Sequence, residues 1–508
     1  MKKVFWALLL ALPMFVFCTE KDPVDNGKNN NGPKVDPEIA LTSEKDVNVD
    51  FKGGTVTLTF TCNTEWRVAT NELWLKFNPE SGQASESPIS VTITCEPNEN
   101  LESRRATVYV FAGEKNISLT IQQNGDRMAG AGQELKSGSS VLATNPNVEK
   151  FLTSVTYPDR DWSYTKVLDY YGGFNGKTYN ENGEEDPNGV AFSWGNEPWN
   201  DKPMTYSIRW NESDLVAGSP MTLVLEDKLG WKAEKAIDAG AMYVNVTNLV
   251  PNDEYTYKVT ADNGGKVMAQ GNFTTTGSLH QIFFHKACRN GRDLGGWKTI
   301  SGKTIKYRKV YRGGRMSGET VSAIGKDEII AEGIGAQLDL RGESDVLSKP
   351  CIDGFAFCAP VIEEGGTAML KADAAKTKQC FEFVVENVRA GKGVYFHCSL
   401  GRDRTGTLDI LLLGLLGVRE GEISKAYEVT YFSGIGYSVS SSEKSSNPKP
   451  VFKNTRQAWV YSDVVPYFWS LADQTEGKTF ADGVEKYLLE VAGVSQKDID
   501  DFRALMLE

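Results

Sequence analysis

Residues 393–417 read GVYFHCSLGRDRTGTLDILLLGLLG and hold the chain's densest group of reactive side chains. The apolar run ending at Phe396-His397 predicts a short buried strand, the Gly401-containing stretch a turn, and the run from about Thr405 a buried helix. A turn between strand and helix aims successive backbone N–H groups at one spot, and the helix adds the positive end of its dipole. Ser399, Leu400, Gly401 and Arg402 are thereby expected to cradle an anion. Cys398 stands at the mouth of that turn, where the same field favours thiolate over thiol and yields a nucleophile at neutral pH. Arg404 can curl back and offer its planar fork to two phosphate oxygens. Thr405 can donate its hydroxyl to the sulfur. Of the eight cysteines, Cys398 alone has an arginine six positions later.

The longer string His397-Cys398-x-x-Gly401-x-Asp403-Arg404-Thr405-Gly406 resembles the loop of cysteine-dependent phosphatases. With aspartate directly before the arginine, it is similar to the bacterial tyrosine phosphatase family whose motif reads HCxxGKDRTG. That family includes lipid phosphatases acting on phosphoinositides, and myotubularin lipid phosphatases carry a similar aspartate. Arg292-Asp293-Leu294-Gly295-Gly296, Tyr311-Arg312-Gly313-Gly314 and Asp339-Leu340-Arg341 extend the resemblance across residues 278–508. Arg402 stands where the family usually has Lys, which keeps the charge and changes reach and geometry.

The resemblance implies a cysteinyl-phosphate intermediate, no metal and no cofactor, and a phosphorylated protein or phospholipid as substrate. It also implies Asp403 as the acid for the leaving oxygen. Asp403 is awkwardly placed for that role, since Arg404 and the helix N-terminus favour a carboxylate while a bound phosphate dianion opposes it. The other reading has Asp403 capping the helix or pairing with an arginine, with Asp345 or Glu343 as the acid. Arg292, Asp293 and Arg341 either contact substrate or brace turns. His397 is expected to brace the loop or tune the thiol, and His280 and His285, at the domain entry, to be incidental.

These residues need a scaffold. At roughly 150 residues per domain, 508 residues suggest about three. The composition, 40% hydrophobic and 24% charged, is that of a globular chain. Lys and Arg number 55 against 67 Asp and Glu, a formal −12 with no long basic run, so nucleic acid is excluded as a first partner. Residues 39–126 alternate apolar and polar in short runs (TVTLTF, ISVTIT, ATVYVF, ISLTIQQ), the pattern of a β-sandwich. Trp66, Trp74, Asn98, Arg105-Ala106-Thr107 and Ile121-Gln122-Gln123-Asn124-Gly125 make this segment resemble a BACON domain, common in exported proteins of anaerobic gut bacteria. The resemblance implies a glycan as a candidate partner, although Trp66 and Trp74 read as core residues rather than sugar platforms.

Residues 127–277 are strand-patterned toward their end (GVAFSW, MTYSIRW, MTLVLE, MYVNVTNL, YTYKVTA). Leu249, Pro251, Tyr255, Tyr257 and Val259 resemble the corner of a fibronectin type III domain that a Tyr hydroxyl ties together. The aromatic stretch at 159–174 fits no template. From residue 278, apolar runs of helical spacing alternate with short strands (AQLDL, VYFH), as in an α/β layer. The expected architecture is thus multidomain: two β-sandwich modules followed by an α/β cysteine-phosphatase domain over 278–508. A rival reading is a surface glycan-binding protein with a non-catalytic phosphatase-like domain.

Lys2-Lys3 followed by apolar residues 4–17 reads as a signal peptide over 1–17, too short to span a bilayer. Cys18 at its end resembles the lipidated residue of a bacterial lipoprotein, although Phe17 is larger than such signals prefer; plain secretion is the alternative. Residues 18–38 then form a polar tether. The expectation is an exported outer-membrane lipoprotein, periplasmic or surface-facing, that meets the membrane by its lipid anchor only. Cys62 and Cys95 end similar strand patterns and are either bridged or separately buried.

Overall fold

A computed structural model describes residues 36–160, 202–318, 321–433 and 456–508. Cys18, the signal and almost all of the tether lie outside the described residues, as do GVAFSW and the aromatic stretch beyond Arg160. The chain divides after Ala129 into two compact units.

The first unit contains two sheets. One runs Ile39–Leu41, Gly54–Cys62, Ser85–Cys95, Leu75–Asn78, and the other Asp46–Val49, Lys115–Gln123, Arg104–Ala112, Trp66–Ala69, Ser81–Gly82. Their period-2 alternation turns Val56, Leu58 and Phe60 of one and Val108, Val110 and Ile121 of the other into a shared core. Trp66 packs edge-on against Phe60 within it, and Arg104 covers the ring of Trp74, so both tryptophans are core residues. Asn98 is buried as well, and its amide donates to the carbonyls of Glu102 and Asn124. Cys62 and Cys95 are free thiols and do not share a sheet level: Cys62 lies opposite Ser85 and Cys95 opposite Gly54, at the two ends of one strand pair. Similar local patterns put them at the ends of two strands, but the strands run antiparallel.

The second unit begins with a three-stranded sheet (Gln133–Glu134, Tyr206–Arg209, Tyr243–Val246) and a five-stranded one (Ser139–Leu142, Val267–Thr276, Glu254–Ala261, Met221–Asp227, Lys232–Ile237). The Tyr255 hydroxyl accepts a hydrogen bond from Val250 N–H at 2.9 Å, tying the corner as the sequence suggested. The same unit continues into a further five-stranded sheet in the order Arg292–Asp293, Val310–Gly313, Gly393–His397, Ile334–Asp339, Ala356–Cys358. All its pairings are parallel except the first.

Gly393–His397 is central and buried at every position, which is why it reads as a continuous apolar run. In register, Gly313 and Asp339 both lie opposite His397. The chain segments that follow these three strands therefore leave the sheet at one edge, where ligands gather in sheets of this kind. The Asp403–Leu415 helix starts there and is buried along nearly its whole length.

A helix at Pro146–Ser154, absent from the sequence reading, is capped by the Asn145 side chain. Its Val148, Phe151 and Leu152 belong to the same core as Phe396, Leu408 and Phe432. The β segment before residue 278 and the sheet after it also share buried polar contacts. Arg308 pairs with Asp227 and Glu332, lies 4.0 Å from the ring centroid of Trp231, and reaches Tyr255 Oη. His280, expected to be incidental, is fully buried, with Nδ1 3.0 Å from Asp293 Oδ2 and Nε2 3.0 Å from the Asn248 carbonyl.

Candidate active site

Cys398 follows the central strand directly and is 3% exposed. The carbonyls of the loop after it are all turned outward. His397 Nδ1 faces the Cys398 carbonyl at 3.3 Å and Arg315 N–H donates to that of Ser399. Asn290 Nδ2 donates to Leu400 and Gly401, Arg312 Nη2 to Gly401 at 2.6 Å, and Gly406 N–H to Arg402. With the carbonyls anchored outside, the N–H groups of Ser399, Leu400 and Gly401 donate to no protein group among the described residues. The helix that follows has no side-chain cap at Arg402. These loop N–H groups at the start of the helix make a donor set of the kind that binds anions.

Electrostatics at the sulfur agree with the expected nucleophile. Burial alone would push the Cys398 thiol up. The Arg404 charge, with the Thr405 hydroxyl and N–H, outweighs burial and the opposing Asp403 charge, so the thiol lies below its ordinary value. The Thr405 contact is loose: its buried hydroxyl meets no partner at strict hydrogen-bond geometry and acts on the sulfur at longer range. Arg404 is anchored by Nη1 on the Ile362 carbonyl at 2.9 Å.

Arg341 is 2% exposed and bidentate on Asp339 through Nε and Nη2, at 2.9 and 2.8 Å. Burial opposes its charge, while Asp339, Asp345 and Cys398 favour it. Its Nη1 lies 4.0 Å from Asp345 Oδ2, and the same oxygen accepts the Ser399 hydroxyl at 2.6 Å. Asp403 has both oxygens on Arg402, which donates from Nε and Nη2 at 3.0 Å each. The pairing with an arginine that the sequence left open is therefore present.

Asp293 is not part of this cluster. It accepts from the N–H groups of Gly295 and Arg308 and contacts His280, the turn-bracing alternative of the two that the sequence left open. Its neighbour Arg292 donates to Ala426 and Thr430 and is likewise a brace.

The state of His397 follows from its neighbours. Cys351 N–H donates to Gln337 Oε1, which fixes that amide so that its Nε2 donates to the Met316 carbonyl and to His397 Nε2 at 2.9 Å. The imidazole proton is thereby assigned to Nδ1, beside the Cys398 carbonyl. Burial lowers the pKa of His397 to about 4, against the pull of Asp339, so the ring is neutral at pH 7.

Arg312, Asn290 and Gln337 carry much of this support, and the sequence assigned them no role. One signal was available for Arg312. Asp409 interrupts the apolar LDILLL run, and a carboxylate buried in such a helix needs a cation, which Arg312 Nη1 supplies.

Residues 284–508 match the family model described as "Tyrosine phosphatase family", and residues 64–124 match the BACON model, described as "Putative binding domain, N-terminal". A Cupriavidus necator protein named "Putative tyrosine-protein phosphatase" is 28% identical over 163 residues, which cover 27% of this chain and 59% of that relative. Among solved structures, a Bacteroides ovatus GH5 xyloglucanase in complex with a XXXG heptasaccharide is 22% identical with a TM-score of 0.17, covering 24% of this chain and 29% of its own. A Bacteroides thetaiotaomicron protein solved by NMR is 15% identical with a TM-score of 0.12, covering 20% of this chain and 97% of its own. Structural scores this low carry no argument.

Proposed function

Because the chain carries a tyrosine phosphatase family domain over residues 284–508 and a BACON domain over 64–124, we propose that it hydrolyses phosphomonoesters through a cysteinyl-phosphate. Phosphotyrosine in proteins is the favoured substrate, and a phosphoinositide headgroup is the alternative. The observation that carries the reading is the Cys398 thiol, held below its ordinary value beside the Ser399, Leu400 and Gly401 N–H groups, which donate to no protein group among the described residues.

The thiolate attacks phosphorus in line, and the Ser399–Arg402 N–H groups and Arg404 hold the equatorial oxygens. A carboxyl group, Asp403 in the resembling family, protonates the leaving oxygen, and water then releases phosphate and the thiolate. No metal or cofactor enters these steps. Hydrolysis of p-nitrophenyl phosphate with EDTA present is therefore expected, with inhibition by vanadate and no turnover in Cys398→Ser. Activity surviving in that variant, or recovered only with added divalent metal, would overturn the mechanism.

The same proposal reads the two-sheet regions as β-sandwich modules, the second similar to fibronectin type III, and the C-terminal sheet with its helices as an α/β layer. The BACON domain takes the binding role, on a surface that does not use Trp66 or Trp74. Export and a lipid anchor at Cys18 complete the reading. Fatty-acid labelling that is lost in Cys18→Ser is the expected result, and an unlabelled wild-type chain would return it to plain secretion.

A further inference from the structure

Arginine is a long side chain with many rotamers, so a guanidinium that must meet a phosphoryl group has to be aimed. In Arg404 the aim comes from one backbone carbonyl. Nη1 donates to Ile362, while Nε and Nη2 make no hydrogen bond among the described residues. One arm is held, and two are left for phosphoryl oxygens. Burial raises the Cys398 thiol, and the Arg404 charge is the strongest of the influences that bring it down, so the placement of this side chain also sets the nucleophile. The carbonyl is presented by a strained turn. Val361 has φ +57°, in the left-handed region where a β-branched residue is an outlier and persists only when its surroundings over-determine it. Two demands meet there: the Ile362 side chain is fully buried in the core of Phe396 and Leu408, and its carbonyl faces Arg404. The turn is pinned on both sides. Before it, Lys376 Nζ, paired with Asp373, donates to the Val361 carbonyl at 2.8 Å. After it, Gly365 packs on the backbone of Asp403 and Arg404, and Gly366 N–H donates to Thr407 Oγ1 at 2.7 Å.

We propose that the left-handed turn at Val361 is the device that positions Arg404 for the phosphoryl group, and that Lys376, on the Ala374–Arg389 helix outside the anion-binding loop, is a positioning residue of the reaction. The assignment rests on the cysteinyl-phosphate reading above. Lys376 fixes the Val361 carbonyl, and the turn then directs the next carbonyl, that of Ile362, at Arg404. Held by Nη1, the guanidinium keeps its charge beside the sulfur before substrate arrives, and it meets the phosphoryl oxygens without first having to be ordered. The strain at Val361 is therefore tied to the arginine and not only to the seating of Ile362 in the core.

The test uses the full chain, with p-nitrophenyl phosphate as substrate and inorganic phosphate as competitive inhibitor. Lys376→Met is expected to raise KM and the inhibition constant for phosphate by about tenfold. It should also move the pH profile of Cys398 alkylation by iodoacetamide, followed by mass spectrometry, to higher pH, because the thiolate loses its fixed cation. Lys376→Arg should restore both. In Arg404→Met, where the turn has no guanidinium to aim, adding Lys376→Met should shift the alkylation profile no further. Unchanged phosphate inhibition and an unchanged alkylation profile in Lys376→Met, with or without a lower unfolding temperature, would make the residue a brace of the fold and overturn the assignment. A shift of equal size in the Arg404→Met background would overturn it as well. Turnover by Cys398→Ser would remove the cysteinyl-phosphate reading itself, so the two failures are distinguishable.

Discussion

The residues of the loop act through commitments made to neighbours. His397 does not titrate near neutral pH because burial and the Gln337 amide hold it neutral, with its pKa at about 4. A histidine depressed from about 6.5 to about 4 binds fewer protons folded than unfolded, so its contribution to stability is fully present above about pH 6.5 and is lost as pH falls toward 4. At about 1.4 kcal/mol per pH unit between the two values, that contribution is on the order of 3 kcal/mol. Urea unfolding at pH 7 and pH 4.5 should show the loss, and His397→Asn should flatten the difference between the two. An unchanged difference would mean that other groups set the acid sensitivity. The string from His397 to Gly406 was legible because its chemistry is local. The choice of Arg402 over helix capping for Asp403, left open by the sequence, and the Ser399 contact of Asp345 were not, since both depend on which way a side chain turns.

At the scale of elements, one sheet edge gathers motifs spread over 84 residues, from Gly313 to His397, and the parallel register of three strands does the gathering. Gly401 shows how tightly they meet. Its φ is +71°, and a Cβ there would strike the Gly313 carbonyl and lie 2.6 Å from Gly314 N. The Gly-Gly pair after Tyr311-Arg312 and the glycine of the loop are thus two sides of one contact. Gly401→Ala should cost about 1–3 kcal/mol in backbone strain. By displacing the donors it should also lower kcat/KM by about 100-fold. Steady-state kinetics beside thermal unfolding would check both, and a fully active variant would show that the loop yields. Strands were readable from alternation and from the buried GVYF run. The Pro146–Ser154 helix was missed because it lies among strand patterns and packs against residues that come far later in the chain.

For the whole molecule, the boundary near residue 278 marks a change of pattern and not a gap in packing. Arg308 is half-buried between Asp227, Glu332 and Trp231, and removing one side leaves charges without partners. Trp231 Nε1 also donates to the Ala331 carbonyl, and Lys425 to that of Leu152. A fragment of residues 278–508 is therefore expected to fold poorly and to lose most of its activity, while residues 130–508 should keep the rate of the full chain on a small aryl phosphate. Equal activity of the two fragments would show that the β segment is dispensable. This coupling is not readable from the residues in line, because Asp227 and Trp231 look like ordinary residues of a strand-end turn until Arg308 is placed between them.

The helix at Pro146–Ser154 has a further consequence, in the order of synthesis. Tyr157, just past its end, bonds to Glu428, 271 residues later in the chain. At about 5–20 residues per second, the ribosome takes roughly 14–54 s to make that stretch. Throughout that interval the apolar face of Val148, Phe151 and Leu152 has no finished surface to cover it. A nascent chain stalled before Phe432 should therefore engage holdase chaperones more strongly than one released at full length.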